Sequence, residues 1–258
     1  MENYVIIANK VGESFYMKEI VLNVMGLQKT YNKGKTYAVN NVSFEIHAGE
    51  IVGLVGKNGA GKSTILKSVT GILPFEAGTI TIAGFNVVSS PIQAKQNLGY
   101  VPDVSNAFDK MTGMEYLNFV ADIFGVSKKE REQKCAEFEK VFPLGDSIHR
   151  LISSYSHGMK QKVSIMASLI SSPKLWILDE PITGLDPQTS LSLLEYMKEY
   201  AKKGNAVVFS SHNLDIVQKL CDRTLIINHG ILVANLNIDE FEKIHDKTLE
   251  DFFMEQVK

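Results

Sequence analysis

EIVGLVGKNGAGKS, residues 50–63, runs from an apolar segment straight into a glycine-rich turn. The run Ile51–Val55 predicts a short strand buried on both faces. The next eight residues fit G-x-x-x-x-G-K-[ST], a spacing at which the backbone N–H groups of a turn point inward and cradle a phosphate. Gly56, Lys57, Asn58, Gly59, Ala60 and Gly61 supply the cradle. Lys62 is spaced to reach β- and γ-phosphates, and the Ser63 hydroxyl to ligate Mg²⁺. Thr64 follows in the first turn of a helix whose N-terminal dipole favours the same anion. Strand, loop and helix in this order predict a nucleotide site.

Two further apolar runs read the same way. LWILDEP, Leu175–Pro181, delivers Asp179 and Glu180 to the end of a strand. Asp179 suits the Mg²⁺ shell and Glu180 the polarisation of an attacking water. NAVVFSSH ends at His212. Helical patterns lie between these runs, for instance SLSLLEYMKEYAKK ending at Gly204, so the fold class is α/β with a parallel sheet. Side chains with chemistry should gather at the C-terminal ends of its strands.

Residues 104–170 differ. TGMEYLNFVADIFGV and SKKEREQKCAEFEKVF are helical patterns with no good strand between them, which predicts a helical insertion. Within it, SSYSHGMKQKV (Ser153–Val163) starts another helix, with Ser156 at the N-cap and a bare backbone at Gly158. RTLIINHGILVANLN predicts a hairpin turning at Asn228-His229-Gly230, followed by a helical tail from Asp239. At the other end, strand-like alternation begins near Met17, and residues 1–19 read as an extension ahead of a domain over 20–258.

Composition narrows the function classes. The 258 residues are 45% hydrophobic and 22% charged, which suits one large globular unit. The net charge of -2 predicts no broad nucleic-acid footprint. Two cysteines, Cys135 and Cys221, give no disulfide framework and point to a reducing compartment. No apolar run is long enough to span a bilayer, and the first residues do not read as a signal peptide. The expectation is a cytoplasmic protein that reaches a membrane only through a partner.

Taken together, the motifs resemble those of the nucleotide-binding subunits of ATP-binding cassette (ABC) transporters, over about Ile20 to the C-terminus. SHGMKQKV is similar to the family signature, usually Leu-Ser-Gly-Gly-Gln; Ser156 and Gly158 match, whereas Tyr155, His157 and Met159 depart. PITGLDP resembles the family's D-loop, with Asp186 its acid. SSHNLD places His212 at the switch histidine, and QKTYNKGK places Tyr31 at the aromatic that stacks on adenine. In GYVPDVSNAF, Asp103 stands where the family usually has Gln. A carboxylate can still bind Mg²⁺ but cannot donate as an amide does.

The resemblance implies a P-loop NTPase core with a parallel sheet, an N-terminal antiparallel β subdomain and an inserted α-helical subdomain. It implies ATP and Mg²⁺ as cofactors. Two cassettes, identical or paralogous, would pack head to tail, so that each signature covers the γ-phosphate held by the other. Glu180, His212 and Asp103 would be the catalytic set; Ser63, Asp179 and Asp103 the metal set; Tyr31, Ser156, Gly158 and Asp186 further nucleotide contacts. His157 is expected to face solvent or to stand behind the ligand contacts. A separate transmembrane permease subunit at the cytoplasmic face of the cell membrane would dock near Asp103–Tyr116, where Phe108, Met111 and Met114 either offer apolar surface or belong to the insertion's own core. The acidic Asp103 and YSHGMKQK resemble a branch of exporters for drugs, antimicrobial peptides and cell-surface polymers. The alternative is a soluble ABC ATPase acting on nucleic acid or ribosomes; such relatives usually carry long coiled-coil arms or two cassettes, and neither is seen here.

Overall fold

The computed structural model describes residues 4–8, 14–31, 36–103, 108–244 and 247–257. The path begins with an antiparallel pair, β1 (Tyr4–Ala8) and β2 (Ser14–Lys18), in residues 1–19. Two long strands follow, β3 (Ile20–Tyr31) and β4 (Thr36–His47). Then come β5 (Ile51–Val55), α1 (Lys62–Val69), β6 (Ala77–Ile82), β7 (Phe85–Asn86), α2 (Pro91–Gln96) and β8 (Leu98–Val101). The insertion contains α3 (Gly113–Ile123), α4 (Lys128–Val141) and α5 (His157–Leu169), with two short 3-10 turns before α5. The chain closes with β9 (Leu175–Leu178), α6 (Pro187–Lys202), β10 (Ala206–Ser211), α7 (Leu214–Leu220), β11 (Arg223–Asn228), β12 (Ile231–Asn237), α8 (Ile238–Ile244) and α9 (Leu249–Gln256).

The three apolar runs are the centre of one six-stranded sheet, ordered β12-β11-β5-β10-β9-β8. All neighbours are parallel except β11 and β12. Every residue of β5, β9 and β10 is buried. Alternation decides which layer each residue enters: Ile51 and Val55 join the cluster with α5, α6 and α7, while Val52 and Leu54 join α1 and the second sheet. That second sheet is antiparallel, ordered β4-β3-β6-β7. Trp176 is completely buried, its indole N–H donating to Ser168 Oγ at 3.0 Å and its ring edge-on to Tyr200 at 5.5 Å.

Local signals act as chemistry dictates. The β11–β12 hairpin turns through His229 and Gly230 at φ 48° and 76°, the paired positive angles of a tight hairpin. Thr112 and Glu115 form a reciprocal capping box on α3, and Gly204 at φ 88° follows the end of α6.

Of the two readings of Phe108 and Met114, packing against the insertion's core is the one seen. In α3, Met114, Leu117 and Ala121 share one face and turn inward; Met114 lines an open pocket with Leu117, Cys135 and Met166. Phe108 stacks on Tyr116 with ring centroids 4.3 Å apart and packs on the same core, and Met111 is half-buried. The large exposed apolar side chains nearby are instead Phe119 and Ile123 on the outer face of α3, and Ile72 after α1.

Candidate active site

The turn after β5 has the shape its glycines allow. Gly59 and Gly61 adopt φ 79° and 113°. At Gly61 a Cβ would stand 2.5 Å from the Ala38 carbonyl oxygen, so only glycine permits both the angle and the approach of β4. Gly230 N–H donates to the Ala60 oxygen at 2.8 Å, tying the turn to the β11–β12 hairpin. Lys62 is buried, and its Nζ donates to the Gly56 carbonyl at 2.7 Å and stands 4.0 Å from Glu180 Oε1. Burial pushes the Lys62 ammonium below its ordinary value of 10.5, against the opposing pull of Glu180 and Asp179. Ser63 and Thr64 stand half-buried in the first turn of α1.

From Ser63 a chain of hydrogen bonds crosses the strand ends. Ser63 Oγ donates to Asp179 Oδ1 at 3.1 Å. Ser210 Oγ donates to the same oxygen at 2.7 Å and accepts from Glu180 N–H at 2.9 Å. Glu180 itself sits at φ 50°, an angle uncommon for a residue with a side chain and frequent at functional sites. Its Oε2 lies 3.0 Å from His212 Nδ1. Asn213, one residue on, caps α7 through Ile216 N–H, so the same turn both starts a helix and presents the imidazole.

An open cleft runs over this network. It is lined by Gly56, Lys57, Asn58, Asp103, Glu180 and His212, which brings together the phosphate turn and all three expected catalytic residues. Asp103 is exposed. The donor set fits Mg²⁺: Ser63 Oγ and an Asp179 oxygen meet beside the Lys62 end of the turn, and Mg²⁺ typically takes one or two protein oxygens with phosphates and water.

The remaining expected residues stand apart from that cleft's lining. Tyr31 ends β3 opposite Thr36, 46% exposed, with Lys29 Nζ 5.7 Å from its ring centroid. Ser156 caps α5 by accepting from Met159 N–H at 3.3 Å and is exposed. Gly158 faces the Gly184 carbonyl, 3.1 Å from where a Cβ would be. Asp186 caps α6 through Thr189, whose hydroxyl and N–H hold its carboxyl below the usual range. His157 is exposed, and its Nε2 lies 3.2 Å from the Thr183 carbonyl.

Two contributors escaped the sequence reading. Ser210 bridges Asp179 and Glu180; its only signal was the Ser-Ser pair before His212. The C-terminal helix α9 also reaches the site: Phe253 lines the cleft, and Lys57 Nζ donates to the Val257 carbonyl at 2.8 Å. No local pattern announces a contact across that much chain.

Known proteins resemble this chain over most of its length. The family model described as ABC transporter matches residues 39–183, more than half of the chain. The linearmycin resistance ATP-binding protein LnrL of Bacillus subtilis is 35% identical over 214 residues, 83% of this chain and 68% of that protein. The doxorubicin resistance ATP-binding protein DrrA of Mycobacterium tuberculosis is 32% identical over 87% of this chain and 68% of its own length. A solved ATP-binding subunit of an ABC transporter superposes with a TM-score of 0.87 at 31% identity, covering 92% of this chain and all of that one. With this family model and these relatives over most of its length, the chain is a member of the ABC transporter family, as its ATP-binding and ATP-hydrolysing cassette.

Proposed function

We propose that this cassette powers a separate transmembrane exporter by closing head to tail with a second cassette around two ATP molecules. The observation that carries the reading is the unbroken polar chain from Ser63 through Asp179 and Ser210 to Glu180 and His212, at the mouth of the phosphate turn. Backbone amides of Gly56–Gly61 and the Lys62 ammonium hold the β- and γ-phosphates. Ser63 and Asp179, with Asp103 from the cleft wall, hold Mg²⁺, which when bound neutralises charge on the phosphate oxygens. Glu180 accepts the proton of the attacking water, and His212 keeps its carboxylate aimed. Tyr31 stacks on adenine. The solvent-facing Ser156, the bare backbone at Gly158, and Asp186 then serve the nucleotide of the opposite cassette.

The membrane partner docks between core and insertion. A groove there is lined by Ile72, Lys95, Tyr100, Tyr116, Val120 and Phe124, with exposed Phe119 and Ile123 on the same helix as Tyr116. Among the described residues no helix is long and apolar enough to cross a membrane, so attachment to the cytoplasmic face falls to that contact. Export is favoured by the resistance functions in the names of LnrL and DrrA.

The test is the concentration dependence of turnover. The rate per cassette should rise with protein concentration, fall with Ser156→Ala, and rise further with the reconstituted membrane partner in vesicles. A monomer hydrolysing ATP at full rate, indifferent to concentration and to the Ser156 hydroxyl, overturns the reading. Stimulation by RNA or ribosomes in place of the membrane partner favours the soluble alternative.

A further inference from the structure

The side chain of His157 has no role in the scheme above, yet its surroundings are built around it. Where the family signature usually has glycine, this chain places an imidazole at the first position of α5. The ring does not extend toward a neighbour of its own helix. It lies over the loop between β9 and α6, with Nε2 3.2 Å from the Thr183 carbonyl. Beneath it is Gly184, at φ 80°. A Cβ on Gly184 would stand 2.2 Å from His157 Cδ2 and 2.9 Å from Nε2, so any side chain at 184 would push the ring off this turn.

Further contacts run in parallel. Gln161, one turn along α5 and buried, donates from Nε2 to the Pro181 carbonyl at 3.3 Å. Lys162 Nζ stands 4.0 Å from Asp186 Oδ2. The loop so held, Pro181–Asp186, begins immediately after Glu180. One strip of α5 therefore grips the loop leading from the carboxylate that faces this cassette's own phosphate turn, and the gripping helix carries Ser156.

We propose that His157 is a positioning residue that staples the start of α5 to the Thr183–Gly184 turn, so that Ser156 and Glu180 move as one rigid unit. The inference rests on the reading that Ser156 serves the opposite cassette's nucleotide. On that reading the staple joins two sites within one chain: the γ-phosphate contact given to the partner and the base acting on its own ATP. Displacement of one is then transmitted to the other through the His157 hydrogen bond and its ring, beside the parallel contacts of Gln161 and Lys162.

The experiment separates donor, bulk and glycine. His157→Phe retains a ring over Gly184 but loses the N–H; His157→Gln returns an N–H at similar reach. In the full-length protein, His157→Phe should lower kcat about tenfold, the loss of about one hydrogen bond's worth of positioning. It should also lower the Hill coefficient for ATP, with the ATP affinity measured in the Glu180→Gln background changed less than twofold. His157→Gln should restore most of kcat. Gly184→Ala should reproduce the kcat loss by displacing the ring, and the double variant with His157→Phe should lose little more than either alone. Thermal midpoints of all variants guard against simple unfolding. Wild-type kcat in His157→Phe, failure of His157→Gln to restore, or losses that multiply in the double variant would each overturn the staple. These outcomes are distinct from failure of the parent reading, which shows itself as indifference of turnover to Ser156→Ala and to protein concentration in the otherwise wild-type protein.

Discussion

His212 Nδ1 and Glu180 Oε2 lie 3.0 Å apart, so residues at the ends of β10 and β9 meet through one hydrogen bond. The imidazole is largely exposed while the carboxylate is mostly buried, which leaves the ring free to face a phosphate as it orients the acid. Replacing His212 with Ala leaves Glu180 its backbone anchor to Ser210 but removes its side-chain partner. The expected result is a fall in kcat on the order of 10²-fold, the scale of a misplaced catalytic group, with ATP affinity nearly unchanged. Steady-state kinetics beside equilibrium ATP binding make the check.

Glu180→Gln keeps the shape of the site and removes the proposed base. Turnover should fall by about 10²–10⁴-fold. ATP should still bind, and the cassettes should persist as a closed dimer on size exclusion in ATP and Mg²⁺. Normal turnover would remove Glu180 from this role.

Asp103 offers an exposed carboxylate to the cleft where an amide is usual in the family. Asp103→Ala should raise the Mg²⁺ concentration needed for half-maximal turnover and reduce stimulation by the membrane partner. Mg²⁺ titrations with and without that partner measure both. If neither moves, Asp103 serves only to shape its turn.

The buried Lys62 makes ATP affinity depend on pH. In the free protein burial holds its ammonium below the ordinary 10.5, whereas a bound triphosphate favours the charged form. Between those two values, binding takes up a proton, so ATP affinity should decline as pH rises through the lowered value of the free protein. Affinity measured on the alkaline side should show this decline. Lys62→Arg, whose guanidinium stays charged, should flatten it even if it binds more weakly overall.

Trp176 tests the core that holds the strand ends in line. It is fully buried on β9, three residues before Asp179, and its ring packs edge-on against Tyr196 and Tyr200. Trp176→Ala should destabilise the protein by about 3–5 kcal/mol, read from denaturant unfolding. Surviving folded protein should show weakened ATP turnover, because Asp179 and Glu180 hang from the end of the same strand.

The parts legible in the sequence share a physical cause: their signals are local. Ile51–Val55, Leu175–Leu178 and Ala206–Ser211 read as strands because burial on both faces demands unbroken apolar runs. The phosphate turn and the His229-Gly230 turn declare themselves through residues that tolerate positive φ, and the start of α5 through the capping side chain of Ser156. Residues with chemistry at strand ends, Asp179, Glu180 and His212, follow from the same reading once the strands are known.

What only the tertiary structure decided are relationships between surfaces. Met114 turns inward because Cys135 of α4 and Met166 of α5 offer apolar cover there; hydropathy alone could not say which face of α3 would be covered. Ser210 joins Asp179 to Glu180 N–H only because β10 pairs with β9 in the register Phe209 to Leu178. His157 finds Thr183, and Lys57 finds the Val257 carbonyl, across stretches of chain too long for any pattern to encode. Propensity acts over a few residues, whereas the pairing of side chains from distant segments is set by how whole layers pack. The sequence therefore determined the α/β core, its nucleotide turn and the placing of Asp179 and Glu180 at a strand end; packing determined which neighbours aim them.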